Sequence, residues 1–172
     1  AEAALELGHQ VTVISGPVVV GYPEGATVVP VVTTDEMLQA AKSKFRECDG
    51  VIGAAAPCDY MPYTVRAQKI SKTGQPLMIE LIETPDVVAS LGQCKRDDQW
   101  VVGFALETED QRFRAIVKLE RKHCDLMVSN GPSAIDAATN DVELLNPTGD
   151  VLASIQGTKA HVAKQLLAEI DA

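Results

Sequence analysis

Short runs that are apolar throughout, separated by stretches with helical spacing, set the tightest limit on what this chain folds into. The runs fall at residues 11–14, 28–32, 51–55, 100–105 and 125–128. A strand buried on one face alternates apolar and polar residues, whereas a strand covered by helices on both faces is apolar along its length. Helix signals lie between the runs. Thr33, Asp35 and Glu36 offer an N-cap and early acids to a helix reaching residue 45. Thr84, Pro85 and Asp86 open another, residues 108–122 form a third, and Thr158 opens a last one ending near residue 170. Strand–helix–strand crossovers of this kind are right-handed and build a doubly wound, mostly parallel α/β sheet of Rossmann-like type.

Two segments break the rhythm. Residues 61–83 carry prolines, a Thr73-Gly74-Gln75-Pro76 turn and a partly alternating stretch at 77–82. This reads as a β-hairpin projecting from the sheet, either a lid or an arm that pairs with a second subunit. Residues 142–145 and 151–155 flank Asn146-Pro147-Thr148-Gly149-Asp150 and read as a second hairpin. The chain opens on the last turns of a helix closed by Gly8, with no start signal before it. The expectation is one domain over residues 1–172 that lacks its first strand and the glycine-rich loop after it.

At 172 residues and 46% hydrophobic the chain is long enough for one well-buried core. Its formal charge of −9 argues against nonspecific nucleic-acid binding, which runs on phosphate neutralisation. No apolar run approaches the roughly 18–20 residues that span a bilayer. Cys48, Cys58, Cys94 and Cys124 include no C-x-x-C pair, which suits reduced thiols and a cytoplasmic setting. His9, His123 and His161 lie too far apart in sequence to suggest a zinc site.

In parallel sheets ligands sit beyond the carboxyl ends of the strands. Ser15-Gly16, residues 53–59, residues 103–108 and Ser129-Asn130 are therefore expected on one rim. The most distinctive is Gly53-Ala54-Ala55-Ala56-Pro57-Cys58-Asp59-Tyr60, whose small side chains let a ligand approach the backbone. Its one carboxylate is suited to a cation between phosphates or to an amino group on a base. A tightly packed strand end followed by a surface turn has the same composition. Lys69 and Lys72 lie in the insert, and Lys118 and Lys122 share one helix face. That face also fits a solvated surface beside Glu120. The helix start after Pro85 presents free N–H groups of the kind phosphates bind. Neither G-x-x-x-x-G-K-[ST] nor G-x-G-x-x-G occurs, though the latter belongs before residue 1.

Six blocks taken together carry a family resemblance. They are Gly53-Ala54-Ala55-Ala56-x-x-Asp59-Tyr60, Lys69-Ile70-x-Lys72, Thr84-Pro85-Asp86-Val87-Val88, Gly103-Phe104-Ala105-Leu106-Glu107-Thr108, Lys118-x-x-x-Lys122-x-x-Asp125-Leu126 and Asn130. In order and spacing the chain resembles phosphopantothenate–cysteine ligase, the synthetase half of the bifunctional bacterial coenzyme A biosynthesis protein. The resemblance implies CTP-dependent ligation of 4′-phosphopantothenate to cysteine through an acyl-cytidylate. It implies backbone contacts to the nucleotide from Gly53, Ala54 and Ala55, and Asp59 on the nucleotide or on Mg2+. By the same resemblance Lys69 sits over the reacting phosphate as the catalytic cation. Pro85, Asp86, Val87 and Val88 present a helix N-terminus, Phe104 packs in the nucleotide pocket, and Lys118 and Lys122 add cationic contacts. A homodimer, fused to or associated with a flavin-dependent decarboxylase, is also implied.

The chain departs from the family pattern at several points. Pro57-Cys58 stands where Val-Ala is usual, Ser71 interrupts a Lys-Ile-Lys-Lys, and no Asn-x-Ser-Ser-Gly segment is present. No residue is therefore assigned to the second half-reaction. Cys58 is not read as a nucleophile, because the chemistry needs none and no histidine is placed to activate it. The competing readings are an NAD(P)-dependent short-chain reductase and a non-catalytic partner subunit. The reductase needs Tyr-x-x-x-Lys, and Tyr60 is followed by Thr64 and Tyr63 by Ala67.

Overall fold

The computed structural model describes residues 1–131, 137 and 139–171. Helix α1 (Glu2–Glu6) ends on Gly8 at φ +90°, the left-handed position that closes helices and favours glycine. Strands β1 (Thr12–Ser15) and β2 (Thr27–Pro30) pair in parallel. Helix α2 (Thr34–Phe45) starts on a reciprocal capping box. Thr33 Oγ1 accepts from the Glu36 N–H at 3.1 Å, and the Glu36 carboxylate accepts from the Thr33 N–H at 3.0 Å. Strands β3 (Gly50–Gly53), β4 (Tyr60–Pro62) and β5 (Leu81–Glu83) lead to α3 (Val87–Cys94). Strand β6 (Trp100–Leu106), α4 (Gln111–Arg121), β7 (Leu126–Asn130), β8 (Thr139–Leu145), β9 (Val151–Thr158) and α5 (Lys159–Ile170) complete the chain.

The central sheet runs β3-β6-β7-β8-β9. The β3–β6 and β6–β7 pairs are parallel, and β8 runs against both its neighbours. The second expected hairpin is β8–β9, and it extends the sheet rather than projecting from it. Helices cover both faces, as the unbroken apolar runs require. Leu38, Phe45, Leu91, Val101, Ala105 and Leu119 form the core beneath α2, α3 and α4. Val102, Val128, Leu144, Ile155, Val162 and Leu166 form the core beneath α5. Alternate residues of β6 serve the two cores, Val101 and Ala105 the first, Val102 and Phe104 the second. Fully burying such a side chain contributes roughly 1.5–3 kcal/mol, which fixes the sheet between its helix layers.

Five expectations need correction. The β1–β2 pair forms no hydrogen bonds with the central sheet, so the single sheet expected across all five runs is two sheets. Ile14 of β1 still packs on the core beneath α2. The run at 51–55 stops as a strand at Gly53, where the Ala54 N–H bonds back to the Ile52 carbonyl at 3.2 Å. Pro85 precedes α3 instead of opening it, because Asp86 takes the N-cap. The helix expected from residue 108 begins at Gln111, since Asp110 takes the left-handed region at φ +46° and breaks the spiral.

The fifth concerns the insert. Its ladder holds only Tyr60–Glu83, Met61–Ile82 and Pro62–Leu81. Pro62 brings no donor to that ladder, and the stretch from Leu77 to Ile79 lies beyond it with Met78 93% exposed. A period-2 pattern with nothing to pack against does not hold a strand. The last apolar run ends as β7 at Asn130, and Pro132 beyond it lies outside the described residues. Among the described residues no helix is long and apolar enough to cross a membrane.

Candidate functional site

Because β3, β6 and β7 run parallel side by side, their carboxyl ends share one edge. Gly53 ends β3, and a Cβ there would lie 2.5 Å from Val88 Cγ2. Its missing side chain therefore lets the first turn of α3 rest on the strand end. The loop that follows is tied to the same helix. The Thr84 N–H donates to the Asp59 carbonyl at 2.9 Å, and Thr84 Oγ1 donates to the Cys58 carbonyl at 2.5 Å. Ala54, Ala55 and Asp59 are thereby held exposed beside Pro85 and Asp86.

At the start of α3, Asp86 Oδ1 accepts from the Ala89 N–H at 3.0 Å. Lys122 Nζ lies 3.0 Å from Asp86 Oδ1 and 2.9 Å from Oδ2. Burial pushes the Asp86 carboxyl up, but the Ala89 bond and Lys122 outweigh it and hold it below the usual carboxylate range. The amides of Val87 and Val88, the first helical residues, are donors that a helix start leaves without intrahelical partners. Lys122 reaches this point through a close approach. A Cβ on Gly92 of α3 would lie 2.1 Å from the Lys122 carbonyl oxygen, so only glycine lets the end of α4 settle there.

One turn back along α4, Lys118 Nζ pairs with Glu107 Oε1 at 2.5 Å. Glu107 directly follows β6, and its N–H donates to the Asn130 carbonyl at 3.2 Å, carrying the β6–β7 ladder one residue further. Phe104 is half-buried and packs on the core beneath α5. The rim thus gathers residues 53–59, Pro85 to Val88, Glu107, Lys118, Lys122 and Asn130. Lys69 and Lys72 are not among them. Both are exposed on the irregular part of the insert, and among the described residues no hydrogen bond or ion pair ties either to the rim. Ser15 and Gly16 end β1 in the separate pair, where Ser15 Oγ lies 2.6 Å from Tyr22 Oη.

Among the described residues no three His, Cys, Asp or Glu side chains gather as a metal site. Asp59 is a single exposed carboxylate, which fits an ion such as Mg2+ that takes most of its ligands from phosphates and water. Cys124 is buried, and that burial pushes its thiol up to about 11, away from nucleophilic use. A cavity of about 650 Å³ opens at the amino ends of β6 and β7, lined by Lys95, Asp97, Gln99 and His123. It lies at the end of a parallel sheet opposite to where ligands bind, so it is not taken as the site.

Two residues of this arrangement escape reading from sequence alone. Glu107 falls within the 103–108 stretch expected on the rim, but nothing local in the sequence assigns it a partner. Gly92 is signalled only by a glycine inside a helical pattern.

A family model described as DNA/pantothenate metabolism flavoprotein C-terminal domain matches residues 1–172. A protein named cysteine/cysteine sulfinic acid decarboxylase, from an unknown prokaryotic organism, is 35% identical over 99% of this chain and 49% of its own length. The coenzyme A biosynthesis bifunctional protein CoaBC of Bacillus subtilis (strain 168) is 37% identical over 100% of this chain and 43% of its own length. The crystal structure of the C-terminal domain of the coenzyme A biosynthesis bifunctional protein CoaBC superposes with a TM-score of 0.82 at 32% identity. That match covers 99% of this chain and 78% of the other. The chain spans less than half the length of these two curated relatives.

Proposed function

The chain belongs to the DNA/pantothenate metabolism flavoprotein C-terminal domain family, and on that premise we propose that it joins 4′-phosphopantothenate to cysteine using CTP. A carboxylate oxygen of 4′-phosphopantothenate attacks the α-phosphorus of CTP. The bond from that phosphorus to the bridging oxygen breaks and pyrophosphate leaves. The cysteine amine then attacks the acyl carbon, CMP leaves with the acyl oxygen, and the amine gives up a proton to form the amide.

The observation that carries this reading is the rim itself, where a helix start with open amides stands beside Lys122, and Lys118 lies one turn back along α4. Nucleotidyl transfer is catalysed chiefly by positioning and by stabilising charge on phosphate oxygens. The backbone of Gly53, Ala54 and Ala55 lines the nucleotide, and the amides of Val87 and Val88, after Pro85 and Asp86, meet the phosphates. Phe104 packs against the nucleotide, and Lys118 and Lys122 supply charge at the rim. Lys69 comes over the α-phosphate from the insert as the catalytic cation. Mg2+, held by Asp59 and the phosphates, lowers the charge that the protein itself must offset.

The exposed apolar side chains of the insert, among them Val65, Leu77, Met78 and Ile79, support its reading as a homodimer arm. The word bifunctional in a relative's name fits a decarboxylase fused to or associated with this ligase domain. The decarboxylase named for the other relative is then read as a property of the half this chain does not match. A cytoplasmic setting suits such a pathway.

The test uses the full-length protein. It should release pyrophosphate from CTP only when phosphopantothenate is present, and CMP with amide product only when cysteine is added. ATP in place of CTP reads the base preference. Binding of NADPH with no response to CTP would overturn the ligase in favour of a reductase. A protein that binds CTP and never releases pyrophosphate would be a non-catalytic partner.

A further inference from the structure

We propose that Glu107 is a positioning residue that fixes the ammonium of Lys118 at the phosphate-facing rim; this rests on the ligase reading above. The Glu107 side chain is only 10% exposed, and its Oε1 is shut off from water. A carboxylate in that position is costly unless an opposite charge meets it. The charge it meets is Lys118, at 2.5 Å, an ion pair without hydrogen-bond geometry, and among the described residues Oε1 has no hydrogen-bond donor. Its main chain is also fixed, by the N–H bond to Asn130. The carboxylate is thus fixed at its backbone and enclosed at its side chain.

Lys118 is the mobile member. It follows Ala115 and precedes Leu119, both buried against the sheet, so its stem leaves α4 at the border of the buried face. Its side chain is 36% exposed. A lysine there without a partner would sweep through solvent on its rotatable stem. With Glu107 in place the ammonium is drawn to one carboxylate oxygen as an ion pair, and its donors have a fixed origin. The pair is also neutral as a unit. It therefore adds little long-range attraction for an anion and instead presents directed donors close in, which is what discriminates a transition state from a ground state.

This division of labour has a signature. Glu107→Gln keeps the shape, removes the counter-charge and frees Lys118. Ground-state attraction for a polyphosphate then stays the same or rises, while the donor is no longer held where charge develops. In the full-length enzyme E107Q should lower kcat for CTP-dependent pyrophosphate release about tenfold without raising KM for CTP. Disrupted packing would instead raise KM and lower stability. Glu107→Asp, which keeps the charge with a shorter reach, should fall between E107Q and the parent protein. Lys118→Met should lose both terms, and E107Q with K118M should be no worse than K118M alone. An unchanged kcat in E107Q, or losses that multiply in the double variant, would overturn the proposal while leaving the ligase reading intact.

Binding of inorganic pyrophosphate separates the two ideas. If the parent protein never turns over CTP, the ligase reading fails. The pair is then upheld when K118M weakens pyrophosphate binding and E107Q does not, and overturned when E107Q weakens it as well or neither variant changes it.

Discussion

Lys69 stands in water with no ion pair among the described residues, so its full charge is available to a phosphate brought beneath it. Lys122, by contrast, is already engaged with Asp86. The two lysines should therefore respond differently to neutralisation. Lys69→Gln should slow acyl-cytidylate formation by on the order of 10²-fold while changing CTP binding far less, read by single-turnover quench against equilibrium binding. Unchanged turnover would remove Lys69 from the chemistry. Asp86 is the complementary case, because its carboxyl is held below its usual range and its ionised form is favoured by the fold. A depressed folded value means stability present above the unfolded pKa and lost as pH falls through the folded one. Asp86→Asn keeps an N-cap acceptor and removes only the charge. The stability difference between the parent and D86N should hold near neutrality and shrink toward nothing below about pH 4, in urea titrations run across that range. Asp86→Ala should cost about 1 kcal/mol more, the usual worth of a cap. At this scale the sequence was readable where a residue's chemistry is local, as for the Thr33 cap with its early acids and the Thr158 cap. It was not readable at Gly92 or Glu107, whose roles depend on a helix end and a lysine that come close only after folding.

The helices and the strands of the central sheet were legible because each is a buried face with a period. Continuous apolar runs became β6 and β7 with helices on both sides, and Thr158 capped α5 as its position suggested. The insert was legible only in part, for a physical reason. Its alternation at 77–82 had no opposite face to fill, so within one chain the ladder stops after Pro62–Leu81. What it leaves exposed is apolar, with Leu77 at 60% and Ile79 at 61%. A surface of that kind on a projecting element is normally covered by a partner. The full-length protein should run as a dimer in light scattering at micromolar concentration. Replacing Met78 and Ile79 together by lysine should shift it toward monomer, with little change in the melting of the central sheet. A parent protein that is monomeric under those conditions would count against the arm.

Over the whole molecule the formal charge is −9, yet the proposed ligand is a polyanion. The field far from the rim repels nucleotide, and at the rim Lys118 and Lys122 each sit against a carboxylate. Neither the net charge nor these neutral pairs supplies the long-range attraction that governs binding to a basic site. Affinity should instead come from directed N–H donors at the start of α3, from the short-range donors of Lys118, and from Mg2+ that has already reduced the charge of the triphosphate. Two consequences can be separated by calorimetry on the full-length protein. Chelating Mg2+ should weaken CTP binding strongly, because the free tetra-anion then meets the uncompensated field of the protein. Raising monovalent salt at fixed Mg2+ from about 10 to 100 mM shortens the screening length from roughly 30 to 10 Å and damps the distant repulsion as much as the local attraction. CTP affinity should therefore change by less than about threefold over that span, since contacts shorter than the screening length persist. A steep fall with salt, as at a site built on net positive charge, would show that Lys118 and Lys122 leave their carboxylates and bind the phosphates as free cations.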